Sequence, residues 1–136
     1  MRYLSLSDVL YINRVVIEKY GGRFVEPNNI NNLGSLEWAL YVMQNPFFFG
    51  VDQYPTIGHK AAVLAWSINN GHVFFDGNKR TSTLASLTYL EENSHTLDVE
   101  NDALVEISLA VANREKSGME LEDLCEWYCQ RVLLIS

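Results

Sequence analysis

Residues 57–68, Ile57-Gly58-His59-Lys60-Ala61-Ala62-Val63-Leu64-Ala65-Trp66-Ser67-Ile68, are apolar on nearly every side once wound at 3.6 residues per turn. A helix with so little polar surface has to be enclosed by others, so this stretch predicts a central helix inside a helical shell. Upstream, Leu6, Val9, Leu10, Val16, Ile17 and Tyr20 form a helical stripe, opened by Ser5 or Ser7 and stopped by Gly21-Gly22. Leu33, Leu36, Leu40 and Met43 recur at 3, 4 and 3 and predict a second helix, which Pro46 ends or closely follows. Downstream, helices are predicted over about residues 78–93, through Leu104, Ile107, Ala110 and Val111, and through Leu121, Leu124, Cys125, Tyr128 and Val132. Strand-like patterning is confined to short candidates at residues 3–4 and 48–51. The expected architecture is all-α, a compact bundle of about six helices with at most a small β-hairpin flap, which excludes a parallel-sheet nucleotide fold.

The chain has 136 residues, 48% of them apolar and 20% charged, which predicts a single domain over residues 1–136. Size scaling gives a folded surface of about 7,000 Å² against roughly 22,000 Å² unfolded, enough burial to dispense with disulfides. Pro27, Pro46 and Pro55 fall between the periodic segments, and no repeat or low-complexity tract interrupts them. A net charge of -7 argues against broad neutralisation of DNA phosphates, so direct DNA binding is not expected. No apolar run approaches a membrane span, and the N-terminus lacks the build of a signal peptide, so the expected location is the cytoplasm. Cys125 and Cys129 stand four apart on one helix, where Cβ atoms lie about 5–6 Å apart, too far for a disulfide. Two reduced thiols are expected there, with no function assigned.

Between the central helix and the next lies Asn69-Asn70-Gly71-His72-Val73-Phe74-Phe75-Asp76-Gly77-Asn78-Lys79-Arg80-Thr81-Ser82, which gathers reactive groups into one turn. Gly77 permits a tight or left-handed step into a helix whose first N–H groups have no internal partner and attract anions. Lys79 and Arg80 are unfavourable toward that helix dipole unless an anion sits between them, which suggests a phosphate site. Asp76 is a hard oxygen ligand of the kind Mg²⁺ uses alongside phosphate oxygens. His72 can take the proton of an attacking hydroxyl near neutral pH. Phe74 is expected to anchor the loop in the core and hold the histidine outward. Taken singly, a His near an Asp is most simply a structural hydrogen bond, and Asp-Gly-Asn-Lys an ordinary turn into a helix. The joint arrangement favours phosphoryl chemistry, which needs little beyond positioning and charge stabilisation.

The run from His72 to Thr81 closely resembles the H-x-F-x-D-x-N-K-R-T signature of the Fic/Doc superfamily, in its death-on-curing (Doc) branch. Met1-Arg2-Tyr3-Leu4-Ser5, Leu33-Gly34-Ser35-Leu36-Glu37 and Tyr54-Pro55-Thr56 extend the resemblance over most of the chain. Typical Fic AMP-transferases have glycine where Lys79 stands and a second arginine where Thr83 stands, and both departures favour Doc. Lys79 would fill space and add charge near the diphosphate, while Thr83 removes a cation, so nucleotide placement should change. The resemblance implies a toxin that moves the γ-phosphate of ATP to a threonine of elongation factor Tu and arrests translation. It implies His72 as the catalytic base, Asp76 as the Mg²⁺ ligand, and Gly77, Asn78, Lys79 and Arg80 as the phosphate cradle. It further implies a cognate antitoxin of Phd-like type in a surface groove, and a target-binding flap near residues 45–55 around Phe47-Phe48-Phe49. No (S/T)xxxE(G/N) inhibitory helix is recognised, in keeping with inhibition by a partner.

Two other functions compete with phosphotransfer: AMP transfer to a protein hydroxyl with the nucleotide turned round, and a non-catalytic protein-binding module. A metal-dependent hydrolase built on His59, His72, His95 and Asp76 is disfavoured because no two histidines have a short ligand spacing. His59 and His95 read as surface or capping residues.

Overall fold

The computed structural model describes residues 1–135. Its elements in chain order are α1 (Leu6–Tyr20), α2 (Leu33–Gln44), β1 (Phe47–Phe48), β2 (Val51–Asp52), α3 (Ile57–Asn69), α4 (Asn78–Glu92), β3 (His95–Leu97), α5 (Asn101–Ala112), α6 (Arg114–Ser117), α7 (Leu121–Cys129) and β4 (Val132–Leu134). The fold is all-α, with two small antiparallel strand pairs.

Ser5 rather than Ser7 opens α1: the Asp8 N–H donates to its hydroxyl at 3.1 Å, and the Asp8 carboxylate accepts from the Ser5 N–H at 2.8 Å. Gly21 closes that helix by donating to the Ile17 carbonyl. Thr56 caps α3, accepting from the His59 N–H. Every residue from Lys60 to Ala65 is buried, and α3 packs against α2, α4, α5 and α7, as its all-round apolar character requires. Leu36, Val42, Met43, Tyr89, Leu90, Leu124 and Tyr128 pack around it. Polar atoms sunk into this core are paired. The Ser86 and Tyr128 hydroxyls meet at 2.8 Å, Lys60 donates to the Tyr54 carbonyl at 2.6 Å, and no buried side-chain nitrogen or oxygen among the described residues lacks a partner.

The flap is a two-residue-loop hairpin, pairing Phe47 with Asp52 and Phe48 with Val51. Phe49 and Gly50 both have positive φ, as a type I′ turn demands, and Phe49 is fully exposed. The structure corrects three details. Residues 3–4 form no strand; Tyr3 instead stacks on Tyr89 with ring centres 6.0 Å apart, while Leu4 enters the core. The last helix stops at Cys129, and Val132 belongs to β4, which pairs with β3 in the register His95–Leu134 to Leu97–Val132. A four-residue helix, α6, raises the helix total to seven among the described residues.

Candidate active site

The segment between α3 and α4 is an irregular loop whose polar groups are tied to three other parts of the chain. Val73 and Phe74 are buried, so Phe74 anchors the loop, and Phe74 forms a bridge with Ile30. The Val73 carbonyl accepts from the Asn31 and Asn32 N–H groups at 2.8 and 3.0 Å. The Asn31 side chain donates to the His72 carbonyl and that of Asn32 to the Gly71 carbonyl. His72 has a left-handed φ of 48° and an exposed side chain. A non-glycine residue holds that conformation only where its surroundings enforce it, and the Asn31 and Asn32 amides supply the restraint.

Asp76 is held from both sides. Its Oδ2 accepts from the Arg23 N–H and its Oδ1 from the Gly77 N–H, each at 2.8 Å. These bonds, with that from Arg23 foremost, hold the carboxyl below its ordinary pKa; burial opposes them, and the Lys79 and Arg23 charges add to them. The Asp76 carbonyl accepts from the buried Asn13 amide at 3.0 Å and from Asn29 at 3.3 Å. Asn29 also donates to Asn13 Oδ1, and Asn13 to the Thr81 hydroxyl, so a closed amide network joins α1, the segment before α2 and the first turn of α4.

Gly77 precedes α4 with φ of 79°, a left-handed step that a side chain would strain. No side chain caps α4, which leaves the N–H groups of Asn78, Lys79 and Arg80 open toward the cleft. The Asn78 side chain is engaged elsewhere, bracing the loop through two bonds to the Phe74 backbone at 2.9 and 2.8 Å. Lys79 and Arg80 are exposed, and neither has a carboxylate partner among the described residues. The Arg80 guanidinium lies 4.4 Å from the Tyr20 ring centre, and that of Arg23 5.2 Å from Phe75. The Thr83 hydroxyl bonds back to the Lys79 carbonyl at 3.2 Å.

His72, Asp76, Gly77, Asn78, Lys79 and Arg80 all line one cleft of about 550 Å³. It continues from these polar groups into an apolar groove between α4 and α5, lined by Leu84, Leu87, Leu104, Val105 and Leu109. An imidazole, a carboxylate and an anion-attracting helix terminus thus share one opening. The donor set suits Mg²⁺ that arrives with phosphate oxygens rather than in a protein cage. One exposed carboxylate is present, and no group of three His, Cys, Asp or Glu side chains is placed to hold a metal among the described residues.

The family model described as Fic/DOC family matches residues 3–90. The chain belongs to the Fic/DOC family. It is 33% identical over 115 residues to Toxin Doc of Mycolicibacterium smegmatis, covering 83% of this chain and 82% of that protein, which places it in the Doc branch. Members of the Fic/DOC family transfer phosphate or nucleotide groups to proteins, which makes this chain a member of a transferase family.

Six contributors lie outside the sequence motif: Asn13, Tyr20, Arg23, Asn29, Asn31 and Asn32. Asn13 had a visible signal, a lone amide between Ile12 and Val16 on an apolar stripe. So did the cluster Asn28-Asn29-Ile30-Asn31-Asn32, too dense in amides for an ordinary connection. Tyr20 and Arg23 sit at the end of a helix and in a loop, where no spacing rule points to a distant partner.

Proposed function

We propose that this chain is the toxin of a toxin–antitoxin pair and a protein kinase-like phosphotransferase, moving the γ-phosphate of ATP to a threonine of elongation factor Tu. The observation that carries the reading is the convergence of His72, Asp76 and the open N-terminus of α4, with unpaired Lys79 and Arg80, in one cleft. Lys79 in place of glycine, and Thr83 turned back into its helix in place of arginine, distinguish this site from a nucleotidyl-transfer arrangement.

In this mechanism His72 accepts the proton of the threonine hydroxyl as its oxygen bonds to the γ-phosphorus, and the bond from that phosphorus to the bridging oxygen breaks. Lys79, Arg80 and the α4 N–H groups stabilise charge on the phosphate oxygens. Asp76 would hold Mg²⁺, which when bound neutralises charge on the phosphates. The exposed edge of the flap, bearing Phe47 and Phe49, suits addition of an extended target segment. The apolar groove between α4 and α5 opens into the same cleft, so a Phd-like antitoxin segment lying there would cover the site. The net charge of -7 and the lack, among the described residues, of a helix long and apolar enough to cross a membrane fit a cytoplasmic protein acting on a protein rather than on DNA.

Mg²⁺-dependent labelling of elongation factor Tu, with ATP carrying label at either the α or the γ phosphorus, tests the proposal. The expected result is γ label alone on the target and none with His72→Ala. Transfer of α label would mean that Lys79 does not reorient the nucleotide and that the chain is a nucleotidyltransferase. No label of either kind, with His72→Ala retaining the biological effect, would leave a binding module.

A further inference from the structure

At the end of α3 opposite the catalytic loop, about 20 Å away along that helix, a second set of reactive groups meets. Cys129, the last residue of α7, places its sulfur 3.4 Å from His59 Nδ1 and 3.5 Å from the Thr56 hydroxyl. Thr56 and His59 meet at 2.7 Å, and Thr56 is the N-cap of α3. Gly58 makes this approach possible: a Cβ there would stand 2.9 Å from the sulfur and 3.1 Å from the Cys129 Cα, so the thiol rests directly on the first turn of α3.

We infer that Cys129, with His59 as its base, is a thiol-modification site that undergoes exchange with small disulfides. The physical conditions for a reactive thiol coincide here: exposure, the positive end of a 13-residue helix, and an imidazole within reach. The S–H proton passes to His59 Nδ1, and the thiolate sulfur attacks one sulfur of a disulfide RS–SR. A bond forms from Cys129 to that sulfur, the original S–S bond breaks, and the departing thiolate takes the proton from His59 to leave as RSH. Burial, the largest influence, lowers the His59 pKa, the Asp52 charge on the flap opposes it, and the Lys60 charge adds to it.

Cys125 provides the contrast within the same helix. It is buried, and burial, with Cys129 and Glu122 adding, pushes its thiol up to about 12. At the i, i+4 spacing its Cβ stands about 5–6 Å from that of Cys129, beyond disulfide reach. The adduct on Cys129 therefore persists as a mixed disulfide and is not resolved internally.

The test uses 4,4′-dithiodipyridine on the folded protein at pH 6, where an ordinary thiol of pKa about 8.5 is almost wholly protonated. One equivalent should react, at least about tenfold faster than in denaturant at the same pH. Cys125→Ser should keep that fast phase, Cys129→Ser should abolish it, and His59→Ala and His59→Gln should each slow it about tenfold or more. A fast phase unchanged in both His59 variants, an adduct mapped to Cys125, or a native rate no higher than the denatured one would overturn the inference. The last comparison uses the unmodified chain and stands even if a variant fails to fold.

Discussion

The loop between α3 and α4 and the flap are both short and rich in aromatic residues, yet they are held in opposite ways. Loop residues Gly71, His72, Val73, Phe75 and Asp76 each bond to asparagines or to Arg23 from before α2, and Asn13 on α1 adds a further tie. The flap bonds mainly to itself, through two short strands and a Gln53 to Pro46 bond, and turns Phe47, Phe49 and Val51 to water. Phosphoryl transfer tolerates little misplacement, so its groups need over-determined positions, whereas a surface that docks an extended segment needs free backbone edges. The largest test of the contrast is His72→Ala. His72 is exposed, so its loss should lower transfer about 10²–10⁴-fold, the range of a general base, with no shift of the thermal midpoint. Residual transfer at the normal rate would separate the loop's rigidity from catalysis and remove the base from the mechanism.

Asp76→Asn probes the same loop through its charge. Transfer should fall about 100-fold, in line with the several kcal/mol that a metal contributes to transition-state charge. The pH dependence of stability should change with it. Because N–H bonds from Arg23 and Gly77 lower the folded pKa of Asp76, its contribution is present above the unfolded value of about 3.9 and is lost as pH falls through the lower folded value. Melting curves below about pH 4 should therefore be flatter for Asp76→Asn than for the unmodified chain. An identical acid limb in the two proteins would mean that the Arg23 and Gly77 bonds do not lower the folded pKa of Asp76.

Asn13→Ala attacks the rigidity itself without touching substrate. It removes the partner of the buried Thr81 hydroxyl and one of two partners each of the Asp76 carbonyl and the Asn29 amide. Leaving such groups unpaired costs about 1–3 kcal/mol, or a midpoint lower by several degrees at about 4 °C per kcal/mol. Transfer should drop about tenfold, mainly in kcat, as Asp76 and the first turn of α4 lose their register. Unchanged kcat in a folded Asn13→Ala protein would show that the loop is positioned without Asn13, by Phe74 and the bonds from Arg23, Asn29, Asn31, Asn32 and Asn78.

What could be foreseen divides along the same line. The central helix and the motif from His72 to Arg80 were legible because their signals are local: an all-round apolar run, then a glycine step with charges at a helix start. Asn13 and Asn29 act across 63 and 47 residues to reach Asp76, and nothing in local spacing encodes that pairing. The β3–β4 pair escaped for a related reason. Strands of three residues carry too little alternation, and Val132 continues the apolar spacing of α7 after the helix has ended at Cys129. The small hairpin was visible through its aromatic cluster, but its turn conformation depends on Phe49 adopting the positive φ that sequence rules reserve for glycine or asparagine.

Phe49→Ser gives the smallest effect and the sharpest test of the flap. The side chain is fully exposed, so its removal takes no area from the core, and the thermal midpoint should stay within the range of about 0.5 kcal/mol found for surface changes. If the flap docks the target, KM for elongation factor Tu should rise a few-fold while KM for ATP and kcat at saturating target hold, because the loop that positions His72 and Asp76 makes no hydrogen bond to the hairpin. Asn13→Ala should do the reverse, lowering kcat and the midpoint with little change in target KM. If the two variants instead lower kcat alike, the hairpin and the loop between α3 and α4 behave as one mechanical unit, and the exposed aromatic tip acts as a lid on the site rather than as a docking edge.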